Sequence, residues 1–491
     1  MAEQFVIGLD FGTTSVKAVL FHLNGKVKAE AEAPNQTYYP ESNWAEQDPV
    51  ELEQSTIQAL KNVIEKSDID ATSIVAIGIS CAMHSLICVD DAFQPLSNAI
   101  IWSDGRASDI AERIKGELAD DLYARTGVPN HPMSPLLKLM WMKENDIEAY
   151  KKASYFISVK EYILQKWYGK LVADYSMAAA SGLMNAATLT WDEKALELAG
   201  IHESQLPTIV PPTETLSGLR ADIAEEIGID VDTPLVLGAA DGQLANLGIG
   251  AIAPGEVALT VGTSGAIRQF TKGYNVNEKH ETFSYAFSEE YNVIGGPTNN
   301  GGVVLQWLKD LLNDSSDFTD FINQAKDIAP GAEGIVFLPY INGERAPLWN
   351  QKSAGNFYGV SITHKQAHFV RAALEGITFN LYQIDEALTR LAGKSDTIYV
   401  NGGLARSPLW LQMLADIFNK KVYVAQTHHS SAWGAAWTAL VAVGIADSYE
   451  QIKETVVLSE PVLPDTTMHE AYQQIYQQYK QLSEDIRKYF K

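Results

Sequence analysis

The chain has 491 residues, of which 46% are apolar and 20% charged, a composition typical of a globular protein with two or three domains. Its 61 acidic and 37 basic residues give a formal charge of −24, which argues against nucleic acid or anionic membranes as partners. Cys81 and Cys88 are its two cysteines, too few for a disulfide framework. The sequence begins without a basic, apolar leader, and its apolar stretch at 432–446 is too short to cross a membrane. We therefore expect a reduced, cytoplasmic protein.

The first predicted strand, residues 5–9, ends on a loop suited to phosphate and metal. Asp10 fits a magnesium ion or its water shell, and Gly12 lets the backbone approach an anion closely. Thr13 and Thr14 can donate hydrogen bonds to phosphate oxygens. An ordinary strand-to-turn exit is the alternative, because these residue types also favour turns.

Strands, a hairpin and a helix follow in the order typical of α/β folds. Asn24-Gly25 predicts a hairpin turn, Asp48 a helix cap, and residues 74–79 a buried strand. Met83 and His84 come at the exit of this strand, where ligands bind in open α/β sheets. A structural role for a lone histidine remains the alternative.

Two further strand exits carry polar side chains suited to a polyhydroxy ligand. Trp102 can pack against the ligand, Asp104 can accept hydrogen bonds from its hydroxyls, and Arg106 can donate hydrogen bonds to it. The alternative for the last two is an ion pair that ties the loop to itself. Asp241 follows the predicted strand 234–240 among small residues, where a carboxylate can take the proton of an attacking hydroxyl or cap the next helix.

A second copy of the first loop follows the predicted strand 257–261. Gly262 and Thr263 repeat the Gly-Thr pattern of Gly12 and Thr13 after about half of the 491 residues. The repeat predicts two related lobes, each offering a hydroxyl-rich loop to a ligand between them.

Paired glycines mark the second half. Gly301-Gly302 precede a predicted helix and are expected to offer free amides to phosphate or adenosine, and Gly402-Gly403 form a turn after a short strand. Arg345 lies in a polar loop after another predicted strand. Residues 134–166 are predicted to form two helices, and the last thirty residues a surface helix.

These features together resemble the FGGY family of carbohydrate kinases over nearly the whole length. Residues 133–141 and the run from 355 to 376 are similar to the two signatures of that family. The resemblance implies the two-lobed α/β, actin-like ATPase (ribonuclease H-like) fold, with a mixed sheet flanked by helices in each lobe. It also implies ATP and Mg²⁺ as cofactors, an N-terminal lobe at 1–243 and a C-terminal lobe at 244–491.

Roles follow from the resemblance position by position. Asp241 is expected to be the catalytic base and Asp10 the metal ligand. The expected substrate ligands are Met83, His84, Trp102, Asp104, Arg106, Asp241 and Arg345. The expected nucleotide contacts are Gly12, Thr13, Thr14, Lys17, Gly262, Thr263, Gly302, Gln306, Gly402, Gly403 and Ser407, where Lys17 replaces an arginine of some relatives.

Within the family, residues 82–85, 131–135, 299–302 and 343–350 resemble the bacterial gluconate kinases. The expected reaction is phosphoryl transfer from ATP to the 6-hydroxyl of D-gluconate, with His84, Arg106 or Arg345 meeting the carboxylate. Xylulose kinases share the Met-His and Trp-x-Asp-x-Arg elements, so a pentulose is the second candidate. An actin-fold ATPase chaperone and a non-catalytic sugar sensor are the other classes, and a homodimer is expected because relatives are often dimers.

Overall fold

A computed structural model describes residues 3–490. Its strands are β1 Phe5–Phe11, β2 Ser15–His22, β3 Val27–Pro34, β4 Glu46–Gln47, β5 Ile74–Cys81, β6 Ile87–Val89, β7 Ala99–Ile100, β8 Tyr155–Ile157, β9 Val172–Asp174, β10 Met184–Asn185, β11 Thr190–Trp191, β12 Thr208–Val210, β13 Thr215–Leu216, β14 Leu235–Ala240, β15 Glu256–Val261, β16 Gly265–Lys272, β17 Phe283–Ala286, β18 Tyr291–Thr298, β19 Val336–Leu338, β20 Asn356–Tyr358, β21 Thr397–Gly402 and β22 Lys421–Val424.

The helices are α1 Pro49–Ser67, α2 Ser108–Arg113, α3 Glu117–Thr126, α4 Pro135–Glu144, α5 Glu148–Lys152, α6 Val159–Tyr168, α7 Tyr175–Ala180, α8 Glu193–Ala199, α9 Ala221–Ile227, α10 Asp241–Gly248, α11 Gly302–Leu311, α12 Phe318–Asn323, α13 Gln366–Ala392, α14 Pro408–Phe418, α15 Ser430–Ala442 and α16 Thr466–Ile486. No helix within residues 3–490 is both long enough and apolar enough to span a lipid bilayer.

Two six-stranded mixed sheets organise the molecule, and they share one arrangement. The first has the order β13-β14-β5-β1-β2-β3, and the second the order β17-β18-β16-β15-β21-β22. In each, the leading strand (β1 or β15) is antiparallel to the next strand in sequence and parallel to a later one. The predicted internal repeat is therefore present in the fold, and the two Gly-Thr loops join equivalent strands.

Each face of the first sheet has its own helical cover. Phe5, Ile7 and Leu9 of β1 belong to the core formed with α1, α6 and α9, while Val6 belongs to a core shared with α15. This alternation follows from the two-residue period of a strand. On the second sheet, α11, α13, α14 and α16 cover the corresponding face.

Helix α15 crosses from the second half onto the first sheet at close range. A Cβ placed on Gly8 of β1 would lie 2.0 Å from the Ala432 carbonyl oxygen, and one on Gly78 of β5 would lie 2.0 Å from the Ala435 carbonyl oxygen. Glycine is required at both strand positions because a backbone carbonyl occupies the space of a side chain. The two halves therefore share a core at this crossing.

Three predicted segments differ from the structure. Residues 134–166 contain α4, α5 and most of α6, with the strand β8 between α5 and α6, because the sequence pattern did not separate the short elements. The last helix, α16, buries Tyr472, Tyr476 and Tyr479 in the second core and is not a purely surface helix. The predicted boundary between residues 243 and 244 falls inside α10.

Candidate active site

A cavity of about 450 Å³ lies between the two sheets at the ends of their strands. It is lined by Thr13, Thr14, Ala82, Met83, His84, Trp102, Met133, Asp241, Thr260, Gly262, Thr263, Ser264, Gly265, Ala266, Arg268, Phe283, Tyr285, Pro297 and Arg345. Residues from both predicted phosphate loops and from the predicted sugar side therefore meet at one place. A cavity of this size fits a small polar ligand.

Asp241 stands at the junction of β14 and α10, on the wall of the cavity. One of its oxygens, Oδ1, accepts a hydrogen bond from the backbone N–H of Gly242 at 2.7 Å. Burial and the negative charge of Asp10 raise the pKa of Asp241 to about 6, against the opposing effects of Arg268 and the Gly242 N–H. The carboxylate is thus largely ionised at neutral pH and can accept a proton.

Asp10 ends β1 close to Asp241 and is held by two hydroxyls from different parts of the chain. Ser80 donates to its Oδ1 at 2.6 Å, and Ser431, at the start of α15, donates to its Oδ2 at 3.0 Å. Burial raises the pKa of Asp10. A half-buried carboxylate with fixed oxygens suits Mg²⁺, which needs one or two carboxylates in addition to phosphate oxygens and water.

The two predicted phosphate loops both contribute residues to the cavity wall. In the first, the Thr13 side-chain oxygen accepts from Trp102 Nε1 at 2.9 Å, and the Thr13 carbonyl accepts from Gln47 at 2.7 Å. In the second, the Gly262 N–H donates to the Ser264 carbonyl at 2.9 Å. These bonds fix both loops before any ligand binds.

The paired glycines 301–302 support the second loop, and the Gly302 amide is not free. The Gly302 N–H donates to the Gly262 carbonyl at 2.7 Å, and the Val303 N–H to the Thr263 carbonyl at 3.1 Å. A Cβ on Gly301 would lie 2.6 Å from the Ser264 backbone. The predicted free amide is therefore absent at Gly302, because this N–H already donates to the loop.

The other predicted nucleotide contacts lie outside the cavity. Gly402 and Gly403 are exposed beside the second loop, where a Cβ on Gly402 would lie 2.7 Å from the Val261 carbonyl oxygen. Ser407 caps α14 by accepting from the Trp410 N–H at 3.2 Å. Gln306 is exposed and donates to Asp310 at 2.8 Å. The Lys17 ammonium lies 3.9 Å from the Glu32 carboxylate. Gly12 lines a separate, smaller cavity next to the first loop.

His84 faces the cavity in its neutral form. Its Nδ1 donates to the Ala180 carbonyl at 2.8 Å, and burial and the Lys138 charge lower its pKa to about 3. Its backbone adopts a φ of 67°, uncommon for a residue with a side chain. Because of this low pKa, the imidazole carries no positive charge at neutral pH. Together, Met83 and His84 give the cavity an apolar surface and one hydrogen-bond acceptor.

Lys138 of α4 fixes the strand exits that carry His84 and Trp102. Its ammonium group is fully buried and donates to the carbonyls of His84, Ile100 and Ile101 at 2.6, 3.1 and 2.9 Å. Burial lowers the pKa of Lys138 to about 7. Lys138 therefore positions His84 and Trp102 by holding the backbone carbonyls next to them.

Asp104 and Arg106 do not line the cavity and pair with each other. Arg106 donates to Asp104 at 2.8 Å and to Glu46 at 2.6 Å, and its guanidinium lies 4.0 Å from the Trp44 ring. Asp104 also accepts from the Ala45 N–H at 2.7 Å. The alternative interpretation, an ion pair that ties the loop, is the arrangement observed.

Arg345 reaches the cavity from the loop after β19. Its guanidinium lies 5.3 Å from the Trp102 ring and donates to the Thr298 carbonyl at 3.4 Å. Burial and the nearby charge of Arg268 lower its pKa to about 10, so it stays protonated at neutral pH. Arg345 is the predicted carboxylate ligand that does face the cavity with a charge.

Arg268 and Tyr285 are among the cavity residues that the sequence analysis missed. Arg268 follows three buried residues of β16, and a charge directly after a buried apolar run was a usable signal. Tyr285 of β17 stacks on Phe283 at 4.3 Å and meets the edge of His84 at 6.0 Å, a contact that only the folded sheets create.

A fold of two related α/β lobes, with equivalent phosphate loops facing one carboxylate, defines a phosphotransferase with the actin-like ATPase fold. The family models for the N-terminal and C-terminal domains of the FGGY family of carbohydrate kinases match residues 5–248 and 257–443. The chain belongs to this family and is an ATP-dependent carbohydrate kinase. Membership confirms the predicted fold and kinase class and argues against a chaperone or sugar sensor.

Three relatives are similar over nearly the full length. The gluconokinase of Bacillus subtilis (strain 168) is 41% identical over 92% of this chain and 90% of its own. A gluconate kinase from Lactobacillus acidophilus has a TM-score of 0.95 at 34% identity, covering 99% of this chain and 98% of its own. A ligand-bound xylulose kinase from the same organism also has a TM-score of 0.95 at 34% identity, covering 98% of each chain.

Proposed function

We propose that this kinase transfers the γ-phosphoryl group of ATP to the 6-hydroxyl of D-gluconate, giving 6-phosphogluconate. The observation that carries the proposal is the protonated Arg345 guanidinium on the wall of the cavity that Asp241 also lines, with its Nε buried and without a hydrogen-bond partner within residues 3–490. The similarity to the B. subtilis gluconokinase, 41% identical, supports the same substrate.

Of the three candidates for the substrate carboxylate, Arg345 is best placed. Arg106 already pairs with Asp104 and Glu46, and the pKa of His84, about 3, leaves its imidazole neutral. Neutral His84, with Nδ1 donating to Ala180, keeps Nε2 as an acceptor for a substrate hydroxyl. An arginine pairs with a carboxylate through two parallel hydrogen bonds, which fixes the orientation of the acid.

Asp241 performs the proton transfer in this proposal. It orients the 6-hydroxyl and accepts its proton as the hydroxyl oxygen bonds to the γ-phosphorus and the bond to the bridging oxygen of ADP breaks. The hydroxyl-rich loops at Thr13–Thr14 and Gly262–Ser264 hold the phosphates on the other side of the cavity. Closure of the lobes would exclude water, which would otherwise hydrolyse ATP.

Asp10 is the residue that fits Mg²⁺. Its two oxygens are fixed by Ser80 and Ser431, and no cluster of three or more acidic, histidine or cysteine side chains that could hold a metal occurs within residues 3–490. Such a site depends on the nucleotide for most of its ligands. Bound Mg²⁺ would neutralise charge on the β- and γ-phosphates.

A coupled assay of ADP release over a panel of gluconate, D-xylulose, glycerol and other aldonic acids tests the proposal. We expect kcat/KM for gluconate to exceed that for D-xylulose by at least about 100-fold, the discrimination available to a site built for one polar group. A higher value for D-xylulose would overturn the assignment.

Xylulose is the second candidate, favoured by neutral His84 and Met83 on the cavity wall and by the L. acidophilus xylulose kinase with its TM-score of 0.95. The same panel decides between the two. We also infer a cytoplasmic homodimer, for which light scattering of the purified protein is the test.

A further inference from the structure

Arg268 is a second cation on the wall of the cavity. It lies in the centre of the second sheet, where β16 pairs with both β15 and β18, and its side chain lines the cavity. Its Nε is buried without a hydrogen-bond partner in the described part of the chain, although the charge of Asp241 acts on the guanidinium. A donor buried without an acceptor is costly, which points to a ligand that supplies the acceptor.

The fold makes room for this guanidinium at two glycines. A Cβ on Gly242, the residue after Asp241, would lie 2.8 Å from the Arg268 Nε. A Cβ on Gly295, on the neighbouring strand β18, would lie 2.9 Å from the Arg268 Cγ. A larger residue at either position would displace the arginine, so its place beside Asp241 is built into the backbone.

Arg345 faces the same space from the other side. Its Nε is also buried without a hydrogen-bond partner among residues 3–490. Both guanidinium groups line one cavity, and burial and the charge of Arg268 lower the pKa of Arg345 against the opposing effect of Glu344. Two like charges on one cavity wall are stabilised by an anion bound between them.

We propose that Arg268 and Arg345 together bind the carboxylate of the substrate and make this site selective for sugar acids over neutral polyols. This inference rests on the proposed function and deepens it, because it assigns the selectivity to a residue outside the sequence-based candidates. Arg268 is a specificity-determining residue here, and Asp241 remains the base.

The test compares Arg268→Gln and Arg345→Gln with the unmodified enzyme on D-gluconate and on D-glucitol, in which an alcohol replaces the carboxylate. Each substitution is expected to raise KM for gluconate by at least about 30-fold, because truncating one partner of a buried charge pair costs several kcal/mol. KM for ATP should change less than about twofold, and kcat/KM for glucitol should fall far less than kcat/KM for gluconate, because glucitol has no carboxylate. Arg268→Gln should also move the acid limb of the pH profile to higher pH for both substrates, because the Arg268 charge lowers the pKa of Asp241. Arg268→Lys, which keeps the charge, should recover part of the loss.

Arg113→Gln is the matched control, since Arg113 is exposed and pairs with Glu144 on the surface. Arg113→Gln should leave KM and kcat unchanged for both gluconate and glucitol. The double variant Arg268→Gln/Arg345→Gln should lose less than the product of the single losses, because both arginines hold one carboxylate. Thermal melting of each variant separates lost binding from lost folding.

Two results would overturn the inference. An equal fall in kcat for gluconate and glucitol in Arg268→Gln, with KM for gluconate unchanged, would place Arg268 on the transferred phosphoryl group. Unchanged kinetics would leave it without a role. If the unmodified enzyme does not phosphorylate gluconate, the proposed function is wrong. If it instead selects another sugar acid, and Arg268→Gln removes that selectivity, the role of the arginines still holds.

Discussion

In the proposed mechanism, the protonation of Asp241 sets the decrease of activity at acid pH. Its pKa is raised from 3.8 to about 6 chiefly by burial and secondly by the charge of Asp10. The base must be ionised to accept a proton, so the active fraction falls as the pH drops through about 6. We expect kcat/KM to decrease tenfold per pH unit below that value, measured in the coupled assay. A profile flat down to pH 5 would contradict this assignment.

Asp241→Asn tests the same group by removal. The amide cannot accept the proton, so turnover should fall by about 10² to 10⁴, the usual contribution of a general base. ATP binding, followed by calorimetry, should persist because both phosphate loops are held by other bonds. Retention of more than about a tenth of the activity would remove the role of Asp241.

Lys138→Met tests the lysine that fixes the cavity wall. The substitution leaves the carbonyls of His84, Ile100 and Ile101 without their donor, and we expect a loss of about 3 kcal/mol in the free energy of unfolding. KM for the sugar acid should rise because His84 loses its support. Denaturant unfolding and steady-state kinetics measure the two effects.

Lys143→Met on the same helix is the control for that experiment. Lys143 is exposed, and its substitution should change stability by less than about 0.5 kcal/mol. Equal effects of the two substitutions would show that the buried ammonium has no special structural role.

At the scale of elements, the crossing of α10 and α15 depends on backbone contact. A Cβ on Gly434 of α15 would lie 2.1 Å from the Leu244 carbonyl oxygen of α10. Gly434→Ala should therefore lower the unfolding free energy by about 3 kcal/mol despite the better helix propensity of alanine. Chemical denaturation measures the change, and Ala442→Ser, at a partly exposed position of α15, should change it little. A stabilised Gly434→Ala would refute the contact.

Local signals in the sequence predicted several elements correctly. Asn24-Gly25 forms the turn between β2 and β3, with a φ of 86° at Gly25, and Asp48 caps α1 by accepting from the Val50 N–H. Glu51, in the first turn of α1, accepts from the Tyr38 hydroxyl. These features depend on few neighbouring residues, which is why a sequence pattern can reveal them.

The composition of the site was only partly predictable, for a physical reason. Met83, His84, Trp102 and Arg345 were predicted and do line the cavity. The pairing of Arg106 with Glu46 depends on a contact between distant segments that no local pattern records. The same holds for Ser431, which reaches Asp10 only because α15 returns to the first sheet.

At the scale of the whole molecule, the two halves of the sequence are not two independent folding units. Helix α15 belongs to the second half but contributes to a core with Val6, Ala76 and Val236 of the first sheet. It also positions Ser431 on Asp10, so the predicted metal ligand needs both halves. Lobe movement must therefore occur about a shared core and not about a free linker.

A fragment of residues 1–248 should consequently fail to fold on its own. Without α15, the face of the first sheet that carries Gly8 and Gly78 has no cover, and its buried apolar area is lost. We expect weak near-ultraviolet circular dichroism and no cooperative thermal transition for this fragment. Co-expression with residues 249–491 should restore kinase activity, because the second fragment supplies α15. A cooperative transition of fragment 1–248 close to that of the full chain would refute the shared core, since the first sheet would then be stable without the returning helix.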